Sequence, residues 1–169
     1  MIGEPKLDER PERHSVGIRT QVPMRQLPTV IPQLLGEVLA RMKKQGVAPA
    51  GAPFIRYHVI DMASTMDIEL GWPVASAVAG DDRIQAGVLP AGRYASLVYT
   101  GVQRGVEANA ALLTWGAEQG LVWDSWVAEH GDAFGSRYES FLTEPEHEPD
   151  PAKWDTEVAI RLADDQPRR

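Results

Sequence analysis

The chain has 169 residues, a formal net charge of −7, 43% hydrophobic residues and no cysteine. Length and hydrophobicity favour one globular domain over residues 1–169, and the negative charge argues against a surface that neutralises nucleic-acid phosphates. The lack of cysteine excludes disulfides, thiolate metal sites and cysteine nucleophiles. No stretch reads as a signal peptide or a membrane span, so we expect a cytoplasmic protein without a membrane partner.

The first half of the chain predicts strand, helix, strand, strand. Residues 7–22 predict a modest strand. Apolar residues at three- and four-residue spacing then predict a helix that is capped by Thr29 and stopped by Gly46. Residues 54–60 and 66–74, rich in β-branched and aromatic side chains, predict two strands joined by a short turn at 61–65.

The second half predicts the same order of elements. Residues 84–89 and 94–100 predict strands around a bend, and residues 104–119 predict a helix that Gly120 stops. Strands follow at 138–142 and 155–162, separated by an acidic, proline-rich loop, and the tail from residue 163 is expected to fray.

Short matches between the halves recur in the same order. Gln45-Gly46-Val47 matches Gln119-Gly120-Leu121, and Ile55-Arg56-Tyr57-His58 matches Ser136-Arg137-Tyr138-Glu139. We therefore predict an α+β fold: a pseudo-twofold duplication of a strand-helix-strand-strand module, with antiparallel sheets and one main helix per half. The halves span roughly residues 5–74 and 84–163, meet at a cleft, and superpose Tyr57 on Tyr138.

Strand alternation then assigns side chains to faces. If Tyr57 and Tyr138 both lie under the helices, Glu139 lies on the opposite, concave face of the sheet. That face is also expected to receive Phe54, His58 and Phe141.

Several segments resemble the GyrI-like small-molecule-binding domain, the effector-binding domain of some AraC- and MerR-type transcription regulators. The segments are residues 51–57 (GAPFIRY), 67–74 (DIELGWPV), 89–95 (LPAGRYA) and 154–158 (WDTEV). The resemblance covers roughly residues 5–163 and implies a stand-alone member, because no residues remain for a helix-turn-helix domain.

The resemblance also implies a binding site. In multidrug-sensing members a buried glutamate among aromatic rings meets lipophilic cations; Glu139 matches that glutamate, and Trp154 falls at an aromatic position. Trp72 has core parity, and Trp123 and Trp126 form either a lid or a cover for one end of the sheet. The expected ligand-binding residues are Glu139, Trp154, His58, Phe54, Phe141, Trp72, Trp123 and Trp126. The competing interpretation of Glu139 is an exposed carboxylate on an open sheet face.

Two functions need the same acid and rings. The favoured one is binding of planar, lipophilic, often cationic small molecules in the cleft. The alternative is a hydrolase of cyclopropane-bearing toxic compounds, as the resemblance implies, with Glu139 as the catalytic base. A third possibility is a protein-interaction role such as modulating a topoisomerase, with the protein partner left open.

The four histidines show no metal-ligand spacing, and no motif indicates a cofactor.

Overall fold

The computed structural model describes residues 1–61 and 65–164. Most of the predicted turn at 61–65 and the last five residues of the predicted tail lie outside the described residues. Within these residues, two α-helices, α1 (Leu27–Lys44) and α2 (Gly105–Glu118), accompany ten strands. The strands are β1 (Lys6–Arg10), β2 (Arg13–Val22), β3 (Phe54–Ile60), β4 (Met66–Val74), β5 (Gln85–Leu89), β6 (Gly92–Thr100), β7 (Ser125–Ala128), β8 (Gly131–Phe134), β9 (Arg137–Phe141) and β10 (Asp155–Arg161).

The strands form one antiparallel sheet that contains the predicted module twice. The first module is β2-α1-β3-β4 and the second is β6-α2-β9-β10. The sheet order is β1-β6-β10-β9-β3-β4-β2-β5, so β9 and β3 meet at the centre and a pseudo-twofold relates the modules across them. The predicted α+β duplication with one main helix per half is confirmed.

Each helix covers the outer strands of its own module. The main contacts of α1 are with β2 and β4, and those of α2 are with β6. One core lies under α1, around Val38, Ile68 and Leu70, and a second lies under α2, around Leu97 and Leu112. A third, smaller cluster fills the opposite face of the sheet with Phe54, Leu89, Tyr94, Tyr138 and Ala159.

Both helices end where the glycines predict, and α1 begins earlier than predicted. Gly46 and Gly120 both have φ of +69°, the left-handed conformation that glycine adopts at little cost. Helix α1 begins at Leu27, so Thr29 lies inside its first turn and does not cap it. Pro28 in this turn has no N–H to leave unpaired.

The face assignment of the second half is wrong by one residue. Glu139 pairs with Ile55 and Val158, which are buried in the two helix-covered cores, whereas Tyr138 lies in the cluster on the opposite face. Tyr57 packs against the core under α1, so it shares its face with Glu139 and does not superpose on Tyr138. Because Ile55 pairs with Glu139, alternation puts Tyr57 and Glu139 on one face of the central strands and Tyr138 on the other. The sequence match, which aligns Tyr57 with Tyr138, is therefore out of register by one residue.

A β-bulge alters the alternation within β3. The pairing with β4 shifts between Tyr57 and Val59, which makes His58 the extra residue. As a result Ile60, predicted to face away from the helix, packs against the core under α1.

The hairpin β7–β8 was not predicted. It follows α2 and joins the sheet through β8, which pairs with Val59 and Ile60 of β3. Within the described residues, no helix is long and apolar enough to cross a membrane.

Candidate functional site

Glu139 lies at the centre of the sheet between the two helix-covered regions, and it is only 7% exposed. The Tyr57 hydroxyl donates to its Oε2 at 2.8 Å, and the Tyr99 hydroxyl donates to its Oε1 at 2.8 Å. Tyr57 belongs to the first module and Tyr99 to the second. One carboxylate therefore joins the two halves of the molecule through a hydrogen bond from each.

Both hydroxyls are held in the donor state. Burial, reinforced by the negative charge of Glu139, raises the pKa of Tyr57 well above its usual value, and the same two causes raise the pKa of Tyr99. A carboxylate offers about four lone-pair positions, of which the tyrosines use two. The remaining positions leave Glu139 able to accept hydrogen bonds from a ligand.

Arg137 lies on the same face of β9, two residues before Glu139. Its Nη2 donates to Oδ1 of Asn109 in α2 at 2.9 Å, and its guanidinium lies 4.8 Å from the ring centroid of Phe134. Burial lowers the pKa of Arg137, and the charge of Glu139 opposes this. Its Nε is buried without a hydrogen-bond partner among the described residues.

Gly105, the first residue of α2, keeps the helix close to Tyr99. A Cβ at this position would lie 3.2 Å from the tyrosine oxygen, tighter than an ordinary contact. A larger residue here would press on the hydroxyl that holds Glu139. The start of α2 and the acid are therefore packed as one unit.

The central strands β3 and β9 lie between the strands that α1 and α2 mainly contact, and we call the region above these two strands the groove. Phe141, two residues after Glu139, shares this face and keeps partial exposure. Thr156 of β10 pairs with Tyr99 and so lies on the face of Glu139. Trp154 stands two residues before Thr156 and has an extended backbone, so alternation places the Trp154 ring on this face too. Its indole N–H donates to the Glu148 carbonyl at 2.6 Å.

A cavity of about 350 Å³ in the described part of the molecule lies elsewhere. Ser140 and Glu157, which face away from the helices, line it together with Arg10 and Arg13 near the start of the chain. We take Glu139 as the candidate site instead, because the charged groups Asp8, Arg10 and Glu157 of this cavity are already paired with one another. Arg10, for example, donates to Glu157 at 2.8 Å and to the Tyr138 hydroxyl at 3.0 Å.

A family model describes nearly the whole chain: the GyrI-like small molecule binding domain matches residues 3–163. The chain belongs to the GyrI-like family. No curated protein matches it in a sequence comparison.

Solved structures of similar shape support the fold of this GyrI-like chain. The EcmrR C-terminal domain is 22% identical with a TM-score of 0.74, over 96% of this chain and 99% of that domain. In a cryo-EM structure of EcmrR with DNA, the match has 22% identity and a TM-score of 0.75, and covers 94% of this chain but 57% of the EcmrR chain.

Two further structures are more distant. A hydrolase from Listeria innocua is 13% identical with a TM-score of 0.61, over 95% of this chain and 92% of its own. SAV2435 bound to tetraphenylphosphonium is 12% identical with a TM-score of 0.58, over 95% of this chain and 94% of its own. At these identities the likeness shows the fold alone.

Two predicted site residues lie on the wrong side of the sheet to meet Glu139. Phe54 is 1% exposed and packs edge-on against Tyr138, with ring centroids 6.3 Å apart. The His58 Nε2 lies 2.9 Å from Oε1 of Glu69. Glu69 faces away from the helices, because its neighbours Ile68 and Leu70 are buried on the helix side of β4. Both errors come from the one-residue misalignment of the second half, which put Glu139 on the face of these two residues.

The other three tryptophans predicted for the site are separated from Glu139. Trp72 donates to the Leu35 carbonyl at 3.1 Å and supports α1. Trp123 packs against Gly116 of α2 and bridges to Leu162. Trp126 is 55% exposed. It pairs with Ala133, which in turn pairs with Val59, and these three residues lie on the face away from Glu139. The interpretation of Trp123 as a cover for the end of the sheet fits its contacts.

The residues that complete the site were not predicted. Tyr99 donates to Glu139, and Arg137, two residues before the acid, donates to Asn109. Tyr57 also donates to Glu139, although it was expected only to lie under a helix. One signal was available, because residues 137 and 139 must share a face of any strand. Among the described residues, no group of three or more His, Asp or Glu side chains is arranged to hold a metal ion.

Proposed function

We propose that this GyrI-like chain binds planar, lipophilic, often cationic small molecules in the groove between α1 and α2, with Glu139 as the anchor. The observation that carries the proposal is a buried carboxylate held by one tyrosine from each module, with acceptor capacity to spare. The fold does not need an acid at position 139, because the residues paired with it on both neighbouring strands, Ile55 and Val158, are apolar.

The chemistry of the groove favours a cationic, aromatic ligand. A carboxylate away from water attracts a positive charge more strongly than an exposed one, and aromatic faces attract the same charge. Phe141 and Trp154 supply rings on the face of Glu139. The complex of SAV2435 with tetraphenylphosphonium gives the proposal a precedent within the fold.

Isothermal titration with tetraphenylphosphonium and with the cationic dye rhodamine 123 tests this proposal. Replacing Glu139→Gln removes the charge and nearly keeps the shape. A hydrogen bond to a charged group is worth about 1.5–3 kcal/mol, so affinity for either cation should fall roughly ten- to a hundred-fold. A neutral aromatic of similar size should lose far less.

Glu69→Gln is the matched control, because Glu69 is a half-buried carboxylate on the opposite face, bonded to His58. It should leave cation binding unchanged. Equal loss with both variants, or equal loss for cationic and neutral ligands, would contradict Glu139 as the anchor.

Hydrolysis of cyclopropane-bearing compounds is the second candidate, favoured by the buried carboxylate and by the hydrolase of similar fold from Listeria innocua. In this reaction Glu139 accepts a proton from water, the water oxygen bonds to a ring carbon, and the ring bond opens with its electron pair protonated on the leaving carbon. Binding ranks first because catalysis needs a second positioned group, and His58, a predicted neighbour of Glu139, bonds Glu69 on the other face. Mass analysis of a cyclopropane alkylator after incubation with the protein and with Glu139→Gln separates turnover from binding.

A further inference from the structure

Two opposite charges are buried side by side in the groove without being paired to each other. Arg137 is 9% exposed and Glu139 is 7% exposed, and both point to the helix-covered face of β9. At about 3.3 Å per residue, their Cα atoms are roughly 6.6 Å apart. Within the described part of the chain, neither side chain makes an ion pair within 4.0 Å.

A buried charge is costly unless a partner compensates it. Arg10 shows what compensation looks like in this chain: its guanidinium donates to Asp8, Tyr138 and Glu157. Arg137 has five N–H donors, and the described residues give it one side-chain acceptor, Asn109, and the face of Phe134. The acids that act on it electrostatically, Glu139 and Asp132, lie beyond ion-pair distance.

We propose that the groove selects dipolar ligands, in which a cationic aromatic system meets Glu139 and a carboxylate meets Arg137. This inference rests on the proposed function and narrows its ligand class. Arginine matches a planar carboxylate with parallel hydrogen bonds, and its planar side chain is already oriented by Asn109 and Phe134. One positive and one negative protein charge call for a ligand with one of each, not for a phosphate dianion.

Two dyes make a matched pair for the test. Rhodamine 110 carries a cationic ring system and a free carboxylate, and rhodamine 123 is its methyl ester, a cation without the carboxylate. Titration calorimetry avoids relying on dye fluorescence, which changes if the free acid cyclises. The wild-type protein should bind rhodamine 110 roughly ten-fold more tightly than rhodamine 123, as expected for one charge-assisted contact.

Replacing Arg137→Met keeps the length of the side chain and removes its charge. Affinity for rhodamine 110 should fall at least about ten-fold, while rhodamine 123 should bind as well or better, because a repelling charge is gone. Arg137→Lys keeps the charge and should retain part of the preference. Arg13→Met, which removes an arginine stacked on Tyr138 on the opposite face, is the matched control and should change neither affinity.

The outcomes separate the inference from the function on which it rests. If rhodamine 123 binds the wild-type protein at least as tightly as rhodamine 110, the dipolar ligand class is wrong although the groove still binds cations. Equal weakening of both dyes by Arg137→Met would assign the arginine a packing role and overturn the inference too. If neither dye nor tetraphenylphosphonium binds, the proposed function fails. Should Arg137→Met not fold, the wild-type preference and Arg137→Lys decide.

Discussion

At the level of single residues, two tyrosine hydroxyls fix the position of the Glu139 carboxylate. Its two oxygens each accept a hydrogen bond at 2.8 Å from a phenol that burial keeps protonated. The donors stabilise the anion without neutralising it. Under the proposed function, a ligand with a positive group would find the carboxylate already fixed in place, with little reorganisation left to make.

Tyr99→Phe tests how much one of these bonds contributes. A hydrogen bond to a charged group is worth about 1.5–3 kcal/mol, so the free energy of unfolding at neutral pH should fall by that amount. Tyr94→Phe is the matched control, because this buried hydroxyl donates to the neutral Pro90 carbonyl and should cost about 0.5–1.5 kcal/mol. Urea unfolding measures both, and an equal or smaller cost for Tyr99→Phe would contradict a charged acceptor.

Part of the candidate site was selected from the sequence for an identifiable reason. The resemblance to the family selected Glu139, and alternation along β9 gave Phe141 the same face. Alignment of the repeats by their shared tyrosine shifted the second half by one residue, which put Glu139 on the face of Phe54 and His58 in the prediction. The bulge at His58 depends on the pairing of β3 with β4, so no local pattern in the sequence predicts it.

At the level of elements, the sequence was most informative where local physics decides. The apolar stripe and terminal glycine located both helices to within a few residues, because periodicity and the left-handed stop act within one element. The β7–β8 hairpin escaped prediction. Its strands have four residues each, and they are held by pairing with β3 from a distant part of the chain.

Two helix glycines with different surroundings give a test at this scale. Gly116→Ala places a Cβ that overlaps Cζ2 of Trp123 and lies 2.7 Å from its Cη2, so overpacking should destabilise the fold by about 1–3 kcal/mol. Gly36→Ala in α1 meets nothing within 4 Å and should stabilise it by about 0.5–1 kcal/mol. Urea unfolding of both variants measures the difference. A stabilising Gly116→Ala would mean that Trp123 does not hold α2 as described.

At the level of the whole molecule, the two modules share a sheet and a site. β3 of one module pairs directly with β9 of the other, and Glu139 accepts a hydrogen bond from each module. This pair of hydrogen bonds to Glu139 therefore forms only when both halves are folded and joined. The expectation that the chain does not bind nucleic acid rests on its net charge of −7 and stays a prediction.

Alkaline pH tests this cooperative arrangement. Burial is the main cause that raises the pKa of Tyr57, Tyr94 and Tyr99 in the folded protein. Above pH of about 10 the unfolded chain loses these protons while the folded one keeps them, so the stability they contribute is full below pH 10 and declines above it. The free energy of unfolding should fall by about 1.4 kcal/mol per pH unit for each such phenol.

Urea unfolding at several pH values, followed by tryptophan fluorescence, measures this decline, and phenolate absorbance measures the titration. Phenolate from these three tyrosines should appear together with unfolding, since their protons are lost only when the sheet opens. The double variant Tyr57→Phe/Tyr99→Phe removes two of the three groups and should make the decline about two-thirds shallower. Full phenolate absorbance near pH 10 with an intact circular dichroism spectrum would show that the hydroxyls are not buried against Glu139. In that case the two modules would not be joined through that acid.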